Sequence, residues 1–369
     1  MQGRWRVPDK VAPSSSGFDP PVFYLQGSYL MNPTGLMKFA GAVVAISLCS
    51  ACAGGSAVAP SSTAPNGSYI GKTLFVQGRP VTAARLNLNP MPHYTTNLPD
   101  ADAKRSKDFE YTISFYGSYA SIFDYPKSVN QIGTINNVGG QGCTNVLYGY
   151  GKKTFWIMAA YNQITEYSVP KKQIANLEVS SDVMPSSCAL NTSGDLAVGV
   201  LHGTNSGGVY IWKEAKGDPT VYTSPLSEEY FDGYDNKGNL FFDGFTKSGY
   251  FQLEELPQGS NTVQTITTSN TVQFPGSVQW DGKYLTVFDQ LANDMYLYTV
   301  KGTQATLKKT IAFKGSSDCA QTWIATGVVY CGDAGNNNGE VFKYPEGRSP
   351  IAVFVGNFVE PLGTVAAAK

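Results

Sequence analysis

Histidine is nearly missing from this chain of 369 residues, which has His93 and His202 and no others. A Ser-His-acid relay needs an imidazole held in place as base. His202 lies in the loop segment LHGTNSGG, where a solvated role is expected. Two histidines and no C-x-x-C spacing also leave little material for a zinc site. Charge is scarce: Asp, Glu, Lys and Arg make up 15% of the chain, against about 25% in ordinary soluble domains. With 27 Lys+Arg against 28 Asp+Glu the net charge is −1, so there is no positive field to gather nucleic acid, which is not an expected partner. No segment shows convincing helical periodicity, so no Gly-rich loop opens a helix around a phosphate.

What is present is a repeat. An aromatic or large apolar residue closes a short alternating run at Tyr125, Tyr167, Trp212, Leu253, Tyr298 and Tyr344, with 41 to 46 residues between successive markers. That spacing is the period of propeller blades. Turn chemistry recurs in step with it, as Asn191-Thr-Ser-Gly-Asp195, Asp235-Asn-Lys-Gly-Asn239 and Asp281-Gly282. Asn, Asp and Gly tolerate the left-handed conformations of tight hairpins, so each marks a strand reversal. Every full unit then reads as an inner strand A of small residues, an alternating strand B, an aromatic-ended strand C and an outer strand D. A strands are expected near Cys143, Cys188, Tyr230, Gly276, Cys319 and Pro361, and B strands from Phe109, Thr154, Leu196, Leu240, Tyr284 and Val328. The repeat enters at a B strand (FEYTISFYG) and leaves at an A strand (PLGTVAA). The reading is an all-β, six-bladed β-propeller of four-stranded antiparallel blades over residues 109–369, its first blade closed by the C-terminal strand. A two-sheet sandwich or an open solenoid would also use short strands, but neither accounts for ends that complete each other.

The stretch YLTVFDQLANDMYLY, Tyr284 to Tyr298, resembles the NHL repeat, in which an alternating strand ends in Asp and a loop with Asn leads to an aromatic-ended strand. GNLFFDG and VVYCGD are looser matches, and the first three units lack the Asp. The run GYDNKGNLFFDG with PGSVQWDGKYLTVFDQ is similar to uncharacterised bacterial NHL-like lipoproteins. The resemblance implies a fold and an address, and no activity.

The address is read at the other end. The apolar run at residues 39–49 is too short for a spanning helix, which needs about 20 residues, and reads as a signal peptide with Lys38 before it. Ser50-Ala51-Cys52 then resembles a lipobox, making Cys52 the lipidated first residue of the mature chain. Position Cys49, where a lipobox usually has Leu, departs from the pattern; the alternative is cleavage at Ala51-Cys52-Ala53, giving a soluble exported protein. Residues 1–36 read as a disordered leader or an over-long gene start, 37–52 as the lipoprotein signal, and 53–68 (AGGSAVAPSSTAPNGS) as a flexible linker. Residues 69–108 are ambiguous, with some strand character but no place in the sixfold count. The expectation is an exported, membrane-anchored lipoprotein of the cell envelope, monomeric, touching membrane through its anchor only.

Export leaves four cysteines for an oxidising compartment. Cys319 opens an A strand and Cys331 closes the facing B strand, while Cys143 and Cys188 hold equivalent places on successive A strands. Disulfides Cys319–Cys331 and Cys143–Cys188 are the expected pairing, with buried free thiols the alternative.

Candidate ligand residues follow from the repeat. Asp243, Asp289 and Asp333 fall at the ends of B strands in three successive units. They could form an arc that binds a divalent cation such as calcium, or sugar hydroxyls alongside Tyr230, Phe231 and Trp323. The competing reading is that each Asp caps the turn after it by accepting backbone N–H bonds, with Asp289 and Asn293 best suited to capping and Asp333, in the longer loop GDAGNNNGE, left freer. No catalytic residue and no required cofactor is assigned. The functional expectation is a binding or scaffold module offering its B-to-C loops to a protein, peptide or glycan. The alternative is a metal-dependent hydrolase or lactonase of the gluconolactonase-like propeller type, for which no converging Glu, Asn and Asp can be picked out.

Overall fold

The computed structural model describes residues 108–369 apart from 115–117, 160–161, 182 and 202–207. The expected leader, signal, Cys52, linker and segment 69–107 lie outside the described residues, as does His202. The chain begins with β1 (Asp108–Ser114), β2 (Tyr119–Phe123) and β3 (Gln131–Asn136), then β4 (Val138–Thr144), β5 (Gly151–Lys152), β6 (Thr154–Ala159), β7 (Gln163–Ser168) and β8 (Lys172–Glu178). It continues through β9 (Pro185–Leu190), β10 (Leu196–Val200), β11 (Gly208–Trp212), β12 (Thr220–Thr223), β13 (Leu226–Tyr234), β14 (Leu240–Thr246), β15 (Phe251–Leu256) and β16 (Gln264–Thr268). The last strands are β17 (Val278–Trp280), β18 (Leu285–Asp289), β19 (Asp294–Lys301), β20 (Gln304–Ala312), β21 (Cys319–Ala325), β22 (Val328–Asp333), β23 (Asn338–Lys343), β24 (Gly347–Val353) and β25 (Pro361–Ala368). Among the described residues no helix is long and apolar enough to cross a membrane.

Strands pair antiparallel with their chain neighbours in fours: β4-β6-β7-β8, β9 to β12, β13 to β16, β17 to β20 and β21 to β24. The β13 and β17 sets are joined at their outer edges by a short parallel contact of β16 with β20. The opening set borrows its inner strand from the other end of the chain. β25 runs antiparallel to β1 from Asp108↔Ala368 to Ser114↔Pro361, and β5 adds a short parallel pairing at Ala367↔Gly151. Inner strands of successive sets lie side by side, β25 next to β4, β4 next to β9, β9 next to β13, β13 next to β17, and β21 next to β25. The result is an all-β, propeller-like arrangement.

Burial explains the residue usage. β10 (LAVGV) is buried along its whole length because sheets pack on both its faces, whereas outer β8 (KQIANLE) is largely exposed. Inner strands carry small residues because they crowd one another: a Cβ placed on Gly363 of β25 would stand 2.0 Å from the Gly140 carbonyl of β4. The repeated aromatics fill the gaps between sheets, with Trp212 and Tyr298 fully buried and Tyr125 edge-on to Tyr330 at 5.9 Å. Burying one such ring contributes about 1.5–3 kcal/mol. The turns act as their composition implies, Asp235 Oδ1 accepting from the backbone N–H of Lys237 at 2.8 Å and of Asn239 at 2.9 Å.

B strands begin within one residue of their expected positions, while β4, β9 and β13 start earlier than expected. Register breaks between Val138 and Gly142 and between Glu229 and Phe231 lengthen β4 and β13, and a bulge of this kind leaves no simple mark on alternation. Both expected disulfides are formed, with Cα–Cα separations of 5.7 Å for Cys143–Cys188 and 5.6 Å for Cys319–Cys331. The first ties β4 to β9 across two sheets, and the second staples the β21–β22 hairpin.

Two outcomes follow. Ending the chain after Phe358 removes β25 and bares Tyr111 and Ile113, both fully buried; thermal melts followed by far-UV circular dichroism should lose their single cooperative transition, and an unchanged melt would refute the closure. Replacing Cys143 and Cys188 by Ser opens a loop with a sequence separation of 45, which should lower the unfolding free energy by about 4 kcal/mol on loop entropy, measured by urea denaturation.

Candidate functional site

The inner strands converge on an axis, and the chain fills that axis with its own side chains. Gln141 of β4 donates from Nε2 to the Tyr230 carbonyl of β13 at 2.9 Å. Gln321 of β21 donates to the Gly142 carbonyl at 2.7 Å, and its Oε1 accepts from the N–H groups of Gly142 at 3.1 Å and Thr364 at 2.9 Å. Gln279 of β17 accepts from the Ile324 N–H at 2.8 Å and donates to the Leu147 carbonyl at 3.0 Å. Each carboxamide thus bridges two inner strands, or a strand and a loop, and satisfies main-chain groups that the axis would otherwise strand away from water.

On the side of the A-to-B turns a strap crosses this plug. Residues 145–150 leave β4 and bond to sheets distant in sequence: the Gly149 N–H donates to the Ile324 carbonyl at 2.8 Å, Trp323 Nε1 donates to the Gly149 carbonyl at 2.7 Å, and the hydroxyls of Tyr150 and Tyr330 meet at 2.5 Å. Beside the strap is a crevice lined by Gln141, Thr144, Leu147, Asp232, Tyr234, Thr322 and Trp323, whose interior admits water-sized groups. A smaller one, lined by Ser186, Leu201, Tyr230 and Leu362, lies on the other side of Gln141 and Phe231. The sequence signal for the strap was the length of the second unit's A-to-B connection, which runs from Thr144 to Thr154 where later units turn within five residues, as in Asn191 to Asp195.

The six candidate ligand residues do not share one surface. Tyr230 and Phe231 are buried, the Tyr230 hydroxyl donating to Glu228 Oε2 at 2.6 Å and its ring standing edge-on to Phe245. Trp323 is buried and tied to the strap. Its β22 partner is Tyr330, while Asp333 pairs with Cys319, so Trp323 and Asp333 sit at different heights of one hairpin. Asp289 accepts from the N–H groups of Gln273, Phe274, Leu291 and Ala292, at 2.7 to 3.3 Å. Asp333 accepts from Ser317 at 2.7 Å, Asp318 at 3.0 Å and Asn336 at 2.9 Å, so the residue expected to be freer is firmly held. Both carboxylates fasten a B-strand end to the segment entering the same sheet. Asp243 is the exception: Oδ2 takes the Gly276 N–H at 3.3 Å, and Oδ1 has no partner.

Burial without countercharge sets the electrostatics. The buried polar residues among those described include no Lys, Arg or His. Desolvation pushes Glu110 up to about 8, against the opposing hydrogen bonds from Thr364 and Thr112. Glu340 rises to about 8 through burial and the nearby Asp333, and Glu254 to about 7 through burial. Glu229 and Asp243 are also held well above the usual carboxylate range, chiefly by burial.

No family model and no curated protein matches this chain. Among solved structures it is similar to a protein of unknown function from Bacteroides caccae, with 10% identity and a TM-score of 0.54 over 72% of this chain and 100% of that one. It is also similar to a chain of the nidogen/laminin complex, with 11% identity and a TM-score of 0.52 over 70% of this chain and 98% of that one. Such likenesses concern the fold alone, and they agree with a propeller-like, all-β chain.

The raised carboxyls give stability a definite sign. A carboxyl whose pKa is higher folded than unfolded stabilises the fold fully below about pH 4, and that stability is lost as pH climbs through the folded value. From pH 5 to 8 the unfolding free energy should fall, by about 1.4 kcal/mol per pH unit for each carboxyl that is protonated only in the fold, and the fall contributed by Glu110 should end near its folded value of about 8. Glu110→Gln should flatten the slope by one such share in urea titrations; stability rising over this range would contradict the assignment.

Proposed function

We propose that the four-stranded sets are the blades of a six-bladed, NHL-like β-propeller, and that the protein is an exported, lipid-anchored binding or scaffold module. Six sets in chain order, inner strands that neighbour in sequence around an axis, and β25 completing the first set support the blade count. The two disulfides fit an oxidising, extracytoplasmic compartment. The signal, Cys52 and linker supply the address.

The observation that carries the binding reading is the placement of exposed apolar side chains. Tyr250, 73% exposed, and Leu291 lie in B-to-C loops, and Val355 and Val359 lie in the connection from β24 to β25. In an antiparallel blade these connections share one face, so four of the large exposed hydrophobic residues stand on the loop side of the ring. Apolar groups gathered on a polar rim mark an interaction surface, and a frame locked by glutamines and disulfides presents them at little entropic cost. A protein, peptide or glycan on this face is the partner the chemistry suits, with Tyr250 as an amphipathic anchor.

Address and surface are tested together in cells making the full chain. The wild type should fractionate with membranes and incorporate labelled palmitate, and Cys52→Ser should lose the label and release the protein. A photo-cross-linking residue at position 250 or 359 should give a discrete adduct that one at position 174, on an outer strand, does not. Membrane release without change in labelling, or identical adducts from all three positions, would sink the reading.

A further inference from the structure

Opposite charges are nearly equal in number along the chain, yet the fold sorts them by place. Every Lys and Arg from Asp108 onward is exposed, whereas the exposed acids among the described residues are Glu178, Glu214, Asp218 and Glu346. Exposed lysine is ordinary; its allocation to one side of the ring is not. Thirteen of the seventeen basic residues stand in or beside A-to-B and C-to-D turns or at the C-terminus, on the side crossed by the strap. Lys152 and Lys153 follow the strap, Lys237 and Lys283 lie in A-to-B turns, and Lys171 and Lys216 lie in C-to-D turns. The B-to-C and D-to-A connections of the loop side hold Lys247 and Lys314.

Acids of the strap side do not cancel this. Asp235 and Asp281 turn inward to accept backbone N–H groups of their own hairpins, and Asp195 accepts the Glu214 N–H at 2.9 Å. Asp124 pairs with Lys127 at 3.3 Å. That leaves Glu214, Asp218 and Glu346 as the exposed acids in these turns. On the strap itself Tyr148 is 47% exposed, a ring with a polar tip of the kind that settles at lipid headgroups. The chain also enters here: Asp108 at the start of β1 pairs with Ala368, next to the terminal Lys369.

We propose that the strap face docks on an anionic lipid bilayer, its cations meeting phosphate headgroups and Tyr148 the interface, so that the loop face points away from the membrane. The orientation rests on the lipid anchor proposed above; the attraction to anionic headgroups does not. An anionic leaflet draws in cations from about a Debye length, ~10 Å at 0.1 M salt, and a ring of turns brings many within that reach at once. Stable anchoring commonly joins an acyl chain to a second signal such as a polybasic surface. A lipid surface suits these cations better than a soluble polyanion does, because they are spread around one whole face instead of lining a groove.

The test uses the purified full chain carrying Cys52→Ser, so that no acyl chain contributes and a failure of the anchor reading leaves this readout untouched. In sedimentation with vesicles, binding to phosphatidylcholine containing about one-third phosphatidylglycerol should be tighter than to phosphatidylcholine alone by about tenfold or more. Salt near 1 M should remove the difference, since it shortens the Debye length to about 3 Å. Lys152→Glu, Lys153→Glu, Lys237→Glu and Lys283→Glu together should abolish the preference with the melting temperature kept, because all four side chains are exposed. The pair Lys237→Glu and Lys283→Glu should reduce it and is the readout if the fourfold variant does not fold. Lys247→Glu with Lys314→Glu, on the loop side, should leave it unchanged. Equal binding to both vesicle types, or an equal loss from the loop-side pair, would overturn the proposal. Tighter binding to soluble polyphosphate than to the anionic vesicles would overturn the choice of a lipid surface.

Discussion

The pairing of β25 with β1 is the constraint on which the other contacts depend. Without it β1 presents a bare edge, and its buried Tyr111 and Ile113 lose cover from Val365, Ala366 and Ala367. An open edge is costly in two ways, through unpaired main-chain groups and through its readiness to recruit another chain. The same strand carries Thr364, whose N–H donates to Gln321 and whose hydroxyl donates to Glu110 at 2.7 Å. Closure therefore sets the axial glutamine network as well as the first sheet, and a fault at the last ten residues reaches β4 and β21 directly.

A second constraint is chemical. Inner and middle strands are covered on both faces, so any acid placed there leaves water, and no basic side chain among the described residues is buried with them. The fold answers in two ways. Where a B strand ends beside the segment entering its sheet, converging N–H groups satisfy the carboxyl oxygens, as at Asp289. Where no such segment approaches, as at Glu110, whose Oε2 has no partner although Oε1 accepts from two hydroxyls, burial favours the acid form. Position in the sheet, rather than residue type, decides which solution applies.

This division also explains what could be read from residue order. Strand starts, hairpin turns, the complementary ends and both disulfide pairings depend on local periodicity and on equivalence between repeats, which a sequence displays openly. Asp289 as a cap was legible for the same reason, since its N–H donors at Leu291 and Ala292 are close in the chain. Asp333 was misjudged because two of its donors, Ser317 and Asp318, approach from 15 or more residues upstream, and loop length said nothing of them. Tyr230, Phe231 and Trp323 suggested a ligand face by their aromaticity, yet aromatic residues serve the packing of inter-sheet gaps first. The glutamine plug was missed although Gln279 and Gln321 are 42 residues apart, one period of the repeat, because the other units carry no glutamine in step and a carboxamide on a small-residue strand does not announce which main-chain groups it will meet.

The plug and strap bear on how such a ring can act. An open axis would offer converging side chains from every sheet to one ligand, which is the arrangement a central active site uses. Here the inner carboxamides are bonded to main-chain groups on both sides of the axis, and residues 145–150 join three sheets across one end. A molecule larger than the water-sized groups that the crevice beside the strap admits would have to break the bonds of Gly149, Trp323 and Gln279 to enter from that side, losing about 1 kcal/mol or more for each one left unsatisfied. Loop residues such as Tyr250 and Val359 impose no such cost, because they are exposed and their frame is already ordered. Filling the axis from within thus leaves the exposed side chains of the opposite face, Tyr250 and Val359 among them, as groups that can be contacted without breaking a bond of the plug.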